Sequence, residues 1–260
     1  MARLCPLFSG SSGNSYYIGS REAGVLIDAG RSARQLDGML RLCGIDPLAI
    51  QGVLVTHEHS DHISGLRVFA RKYGLPVYAT EGTLSAAGGQ LEGVDLRPVG
   101  DGLSLGDMEI RPFPVSHDCV QPVGYRIRTG DGRHFCLATD LGYLSPEAQE
   151  ALLGCDMVVI ESNHDVETLR SGPYPYHLKR RILSDHGHLS NGACAAFLPQ
   201  LLKSGVRRFL LAHLSRENNS PQMALSAALS ALTQAGYVRD VDFLLDAAPV
   251  ENSAGKTVIF

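Results

Sequence analysis

Short apolar runs rich in Val, Ile and Leu alternate along the chain with longer amphipathic stretches. The runs predict strands over Arg3–Phe8, Ser15–Ile18, Val25–Asp28, Gly52–Thr56, Val77–Ala79, Glu109–Phe113, Val123–Thr129, His134–Thr139, Met157–Glu161, Arg208–Ala212, Asp242–Leu245 and Thr257–Phe260. Helical spacing predicts helices over Ala33–Cys43, Ser64–Tyr73, Pro146–Leu153, Tyr176–Ser184, Gly192–Lys203 and Pro221–Ala235. In the first, Leu36, Met39, Leu40 and Cys43 form the apolar stripe, Ser32 caps the start and Gly44 ends it. Gly52–Thr56 and Met157–Glu161 are almost continuously apolar, as expected of strands covered on both faces. Each half of the chain carries strands followed by helices, with a soft division near Pro112–Pro114 and no linker or charge block. The expectation is an α/β fold in a single domain over residues 1–260. Two sheets packed face to face with helices outside would house it, although periodicity alone does not reach that arrangement.

Composition narrows the function. With 44% hydrophobic and 19% charged residues in 260, the chain is neither disordered nor a disulfide scaffold. A net charge of −4 provides no global basic field, so a polyanionic partner would need a local cluster of Lys and Arg. No apolar window reaches the ~18 residues of a membrane span, and the N-terminus lacks a secretory apolar stretch. The six cysteines include no CxxC, which fits a reduced, cytoplasmic compartment and argues against a cysteine-based zinc site.

The segment richest in chemistry is Thr56-His57-Glu58-His59-Ser60-Asp61-His62, directly after an apolar strand. Imidazoles and a carboxylate suit Zn, Mn or Fe, whereas all-oxygen shells suit Mg or Ca. Along an extended backbone His57 and His59 fall on one side. Asp61 and His62 turn elsewhere as the next helix begins, so one loop can serve two neighbouring metals.

This HxHxDH run resembles the signature of the metallo-β-lactamase-fold hydrolases, and later motifs extend the resemblance over essentially the whole chain. That family implies a four-layered αββα fold with two mixed sheets sandwiched between helices. By the same resemblance Asp28 supports the metal loop, and His57, His59 and His117 hold one metal. Asp61, His62 and His213 hold the other, with Asp140 bridging; Asp61 thus counts as both ligand and catalytic residue. Among His164, His188 and His213, the last follows an apolar strand and resembles the terminal motif of tRNase Z-like members. His188, in Gly187-His188-Leu189-Ser190-Asn191, resembles the catalytic His-Ser motif of those nucleases, and Glu161 the carboxylate that orients it. An acidic partner fixes an imidazole's tautomer and raises its pKa, as a proton donor requires.

Ser9–Ser15, Glu161–Asp165, Tyr174–Ile182 and Gly187–Asn191 are similar to the YycJ/WalJ subgroup, bacterial cytosolic proteins associated with 5′-to-3′ exonuclease activity on DNA. The resemblance implies two divalent metals, zinc first with Mn or Fe as alternatives, and a bridging hydroxide that attacks phosphorus. DNA is expected over RNA, because the tRNA-gripping arm of tRNase Z and the inserted domain of β-CASP nucleases are missing. Substrate contacts are expected from Asn163, His164, Lys179, Arg180 and Asn191. The glycine-rich Ser9–Ser15 turn could offer N–H groups to a phosphate, but a tight hairpin is the favoured reading. A hydrolase of small esters, thioesters or cyclic phosphates is the alternative, against which the Glu161/His188 pair argues. No membrane partner is expected, and protein partners are not specified.

Overall fold

The computed structural model describes residues 2–260, leaving Met1, the first residue of the expected domain, outside the described residues. The chain forms two mixed β-sheets with flanking helices. It divides into two compact units, each assembled from separated stretches. Unit 1 takes the chain up to Pro112, Cys119–Arg133 and Pro249–Phe260; unit 2 takes Phe113–Asp118 and His134–Ala248.

The strands of unit 1 are β1 (Arg3–Phe8), β2 (Ser15–Gly19), β3 (Gly24–Ile27), β4 (Ile50–Leu54), β5 (Val77–Ala79), β6 (Leu96–Pro98), β7 (Leu103–Leu105), most of β8 (Met108–Pro114), and β9 (Val123–Arg128). Unit 2 holds β10 (His134–Ala138), β11 (Met157–Glu161), β12 (Arg208–Ala212) and β13 (Leu244–Ala247), and the chain ends in unit 1 with β14 (Val258–Ile259). The first sheet runs β14-β1-β2-β3-β4-β5-β6. Its β1, β2 and β3 pair antiparallel, and β3 to β6 pair parallel. The parallel half needs crossovers, supplied by α1 (Ala33–Leu42), then α2 (Ser60–Ile63) with α3 (Leu66–Tyr73), then α4 (Glu81–Ala87). Leu36, Met39 and Leu40 of α1 and Leu66 and Phe69 of α3 pack with Cys5, Leu26, Val53 and Val77 in one core.

In unit 2, β10, β11, β12 and β13 form a parallel ladder. Its connections are α5 (Pro146–Leu152); α6 (Val166–Ser171), α7 (Tyr176–Ile182) and α8 (Asn191–Lys203); and α9 (Pro221–Gln234). Every residue of β11 is buried, as its unbroken apolar run predicts, and its core joins Leu198, Leu201 and Leu232 from α8 and α9. Among the described residues no helix is long and apolar enough to cross a membrane.

One predicted helix starts later than expected, at a place that matters. The stretch expected over Ser64–Tyr73 is α3, which begins at Leu66; the short turn α2 lies before it and was not expected, and between them stands Gly65, whose N–H donates to the Ala29 carbonyl at 2.9 Å. A Cβ there would run into the carbonyl of Arg31, so only glycine allows the approach. Ser60–Ile63 is thus a separate turn, which carries Asp61 and His62. The sequence reading also missed α4, α6, β6 and β7, all short. Cysteines distant in sequence share a partner in unit 1: Asn252 Nδ2 donates to Cys5 Sγ at 3.5 Å and to Cys43 Sγ at 3.6 Å.

Candidate active site

The seven expected ligands divide between the units: His57, His59, Asp61 and His62 in unit 1, and His117, Asp140 and His213 in unit 2. In unit 1, β4 delivers the chain to Thr56, and the imidazoles follow at once. The His57 ring centroid lies 3.9 Å from that of His62 and 4.7 Å from that of His59. Asp61 Oδ2 is 3.8 Å from His62 Nε2. Thr56 and Asp28 orient the rings. Thr56 donates its N–H to Asp28 Oδ1 at 2.8 Å, and its hydroxyl donates to Asp28 Oδ2 at 2.9 Å while standing 3.0 Å from His57 Nδ1. Asp28 Oδ2 is 2.8 Å from His62 Nδ1. With Nδ1 so engaged, Nε2 is the nitrogen His57 and His62 would offer to a metal, and a buried carboxylate behind a ligand imidazole is the usual support of a metal site.

In unit 2, β10, β11 and β12 end side by side and present Asp140, Glu161 and His213. Asp140 Oδ1 faces three imidazoles, at 3.2 Å from His213 Nδ1, 3.7 Å from His188 Nδ1 and 3.8 Å from His117 Nε2. One ligand atom from each of Asp140, Glu161, His188 and His213 lies within 4.8 Å of the others. Glu161 is fully buried; its Oε2 accepts the N–H groups of Leu141 (3.1 Å) and Leu189 (2.9 Å). Its Oε1 stands 2.9 Å from His188 Nδ1 and 2.7 Å from His213 Nδ1. Burial pushes the Glu161 carboxyl up, but the His188 charge and the hydrogen bonds of His188 and His213 outweigh it and hold the pKa at about 2. The His117 imidazole is pushed down by burial, against the pull of Asp140, and its Nδ1 lies 3.0 Å from the Gly187 carbonyl.

The backbone marks the same residues. Among the described residues four non-glycines have positive φ, and three of them are Asp28 (60°), Asp140 (57°) and His213 (54°), each just past a strand end. Asp and His tolerate this left-handed region better than most residues, yet it still costs about 1–3 kcal/mol, and such strain clusters at functional sites.

The expected substrate contacts are placed variously. Asn163 is buried, and its Nδ2 donates to the His213 carbonyl at 2.8 Å, fixing that strained residue. Asn191 is buried, accepts from Ser162 Oγ at 2.7 Å and donates to Asn219 Oδ1 at 2.9 Å. His164 is 1% exposed, neither ring nitrogen has a hydrogen-bond partner, and burial pushes its pKa down to about 4. Lys179 Nζ donates to the carbonyls of Arg170 and Gly172, both at 2.7 Å, and Arg180 lies over the exposed Tyr176 ring. The sequence reading missed Asn14, fully buried in unit 1, whose Nδ2 is 3.0 Å from His62 Nε2 and whose N–H donates to the Asp61 carbonyl at 2.7 Å. It also passed over Thr56; a hydroxyl directly before the first ligand was the available signal.

These donors fit a transition metal: buried imidazole nitrogens with carboxylate oxygens in each unit, supported from behind by Asp28 or Glu161. The sites are built for divalent metal ions. Comparison with known proteins agrees. The model of the β-lactamase superfamily domain matches residues 24–214. The chain is 40% identical over 236 residues to exodeoxyribonuclease YycJ of Bacillus anthracis, covering 89% of each chain. It is 41% identical over 251 residues to exodeoxyribonuclease WalJ of Streptococcus pneumoniae strain D39, covering 94% of this chain and 93% of that one. The crystal structure of the metallo-β-lactamase fold protein YhfI from Bacillus subtilis superposes with a TM-score of 0.70 at 17% identity, covering 96% of this chain and 97% of that one, which speaks for the fold alone. With that match and these relatives, the chain belongs to the β-lactamase superfamily and has the metallo-β-lactamase fold.

Proposed function

We propose that this chain is a metal-dependent phosphodiesterase that degrades DNA from the 5′ end. Its ligands to two divalent ions, zinc before manganese or iron, would be His57, His59, Asp61, His62, His117, Asp140 and His213. Once bound, such ions supply Lewis acidity toward phosphate oxygens and acidify a water molecule. The observation that carries the reading is the 2.9 Å pairing of His188 Nδ1 with Glu161 Oε1. The buried carboxylate fixes the tautomer, so Nε2 is the nitrogen that gives its proton to the departing sugar oxygen. His188 keeps 15% of its side chain exposed while Glu161 is fully buried, as a proton donor and its support should be. An alkoxide leaving group needs that proton; a thiolate leaving group does not.

The exodeoxyribonuclease names of YycJ and WalJ support DNA as substrate. Asn163 and Asn191 serve in this reading by holding the His213 and Ser162 backbone and side chains, and Arg180, on exposed α7, is the helix cation left to meet phosphates. We also read residues 1–260 as one catalytic domain, because each unit is built from separated stretches and neither folds as an unbroken length of chain. Incubation with end-labelled DNA, bis-p-nitrophenyl phosphate and a thioester, in Mn and in Zn, tests the assignment. Both phosphodiesters should be cleaved and the thioester spared. Thioester cleavage with intact DNA would replace this reading with acyl hydrolysis.

A further inference from the structure

Three N–H groups of the Ser9–Ser15 turn of unit 1 are taken up within the protein. The N–H of Gly10 donates to Asn14 Oδ1 (2.9 Å), that of Gly13 to the Gly10 carbonyl (2.9 Å) and that of Asn14 to the Asp61 carbonyl (2.7 Å). What the turn does carry is Arg31. Its Nη2 donates to Ser12 Oγ at 2.9 Å, and its guanidinium carbon lies 5.4 Å from the centre of the Phe8 ring. The aliphatic stem lies against Gly13, where a Cβ would come within 2.7 Å of Cδ.

Two features set this cation apart. Lys72, Arg97, Arg128, Arg170 and Arg181 pair with carboxylates. Arg31 has no carboxylate partner among the described residues, although it is partly buried and its Nε is enclosed with no hydrogen-bond acceptor. A guanidinium held on an aromatic face with unspent donors and no counter-charge is unfavourable until an anion arrives, and its planar fork matches phosphate oxygens. The position is also fixed. The Arg31 carbonyl abuts Gly65, the preceding Gly30 donates its N–H to the Asn14 carbonyl at 2.9 Å, and a Cβ on Gly30 would collide with the Asp61 carbonyl. Asn14 faces Asp61 and His62, and Ser12, which holds the guanidinium, is two residues away, at most ~7 Å of chain.

We propose that Arg31, with Ser12, binds a substrate phosphate next to the one that is cleaved. This rests on the phosphodiesterase reading and adds to it a residue that measures the length of the substrate: a nucleic acid offers the neighbouring phosphate and a lone diester does not. A single bound phosphate also makes the contact independent of base sequence.

The test compares the metal-loaded wild-type protein with Arg31→Ala and Arg31→Lys, on a single-stranded oligonucleotide and on bis-p-nitrophenyl phosphate, which has one phosphate. Arg31→Ala should lower kcat/KM on the oligonucleotide about 10- to 100-fold, chiefly through KM, and leave the small diester within about twofold. The slope of log kcat/KM against log salt should shrink by ~0.7, the share of one single-strand phosphate contact. Arg31→Lys keeps the charge without the fork and should recover part of the loss, which separates phosphate binding from damage to the fold. Equal activity of wild type and Arg31→Ala on the oligonucleotide, or an equal loss on both substrates that lysine does not relieve, overturns the assignment of Arg31. A wild-type protein inactive on both diesters instead overturns the phosphodiesterase reading on which it stands.

Discussion

The carboxylate of Asp28 lies 2.8 Å from Nδ1 of His62, with both side chains buried in unit 1. The same carboxylate accepts both the N–H and the hydroxyl of Thr56, so one acid sets the direction of two neighbouring imidazoles. Asp28→Asn is isosteric but gives up the negative charge and one acceptor. It should weaken metal binding about 10- to 100-fold, read as metal content after dialysis against a graded chelator. Wild-type retention would remove Asp28 from the support of the site.

The pairing of His188 with Glu161 predicts a dependence on the leaving group. His188→Ala should cost about 10²- to 10⁴-fold on DNA, where an alkoxide departs, and much less on an activated aryl diester. Glu161→Gln should follow the same pattern, because the amide no longer fixes the imidazole tautomer. Parallel kcat measurements on the two substrates decide it, and equal losses on both would show that His188 is not the acid.

The strands that bear the site were legible in the sequence because they are largely buried, and β4, β11 and β12 read as mostly apolar runs. His57, Asp140 and His213 were legible as candidate ligands because they stand just beyond apolar runs. Less legible was whatever depends on contacts between distant segments. The break at Gly65 follows from the approach of the Arg31 carbonyl, which no local propensity encodes. Asn163 and Asn191 carry polar side chains into the interior, where hydrogen-bond partners from other segments, rather than periodicity, decide their placement. The left-handed backbone of Asp28, Asp140 and His213 likewise leaves no trace in composition.

Gly65 is predicted to be intolerant of any side chain. Gly65→Ala forces Cβ against the Arg31 carbonyl, so either α2 or the segment after β3 must move. The denaturation midpoint should fall by the equivalent of about 1–3 kcal/mol, and metal content should fall with it, because α2 carries Asp61 and His62. A fully stable variant with normal metal content would contradict the close approach.

His164 makes stability sensitive to acid. Burial holds its pKa at about 4, below the ordinary 6.5, so the unfolded chain binds the proton more tightly than the native one. The native state is penalised progressively as pH falls through 6.5, and the penalty levels off below about 4. Between pH 7 and 5 this amounts to about 2 kcal/mol. Urea midpoints of the wild type and His164→Leu should therefore diverge in slope over that range, the variant losing less on acidification. Parallel slopes would mean that His164 does not titrate as its burial implies.

The central claim is most directly tested with purified protein stripped of metal and restored with Mn or Zn, given DNA labelled at either end. The account predicts no digestion in chelator, release of nucleotides from the 5′ end once metal is restored, and loss of both metal and digestion in Asp140→Ala. Intact DNA with either metal, or equal digestion in excess chelator, would contradict it.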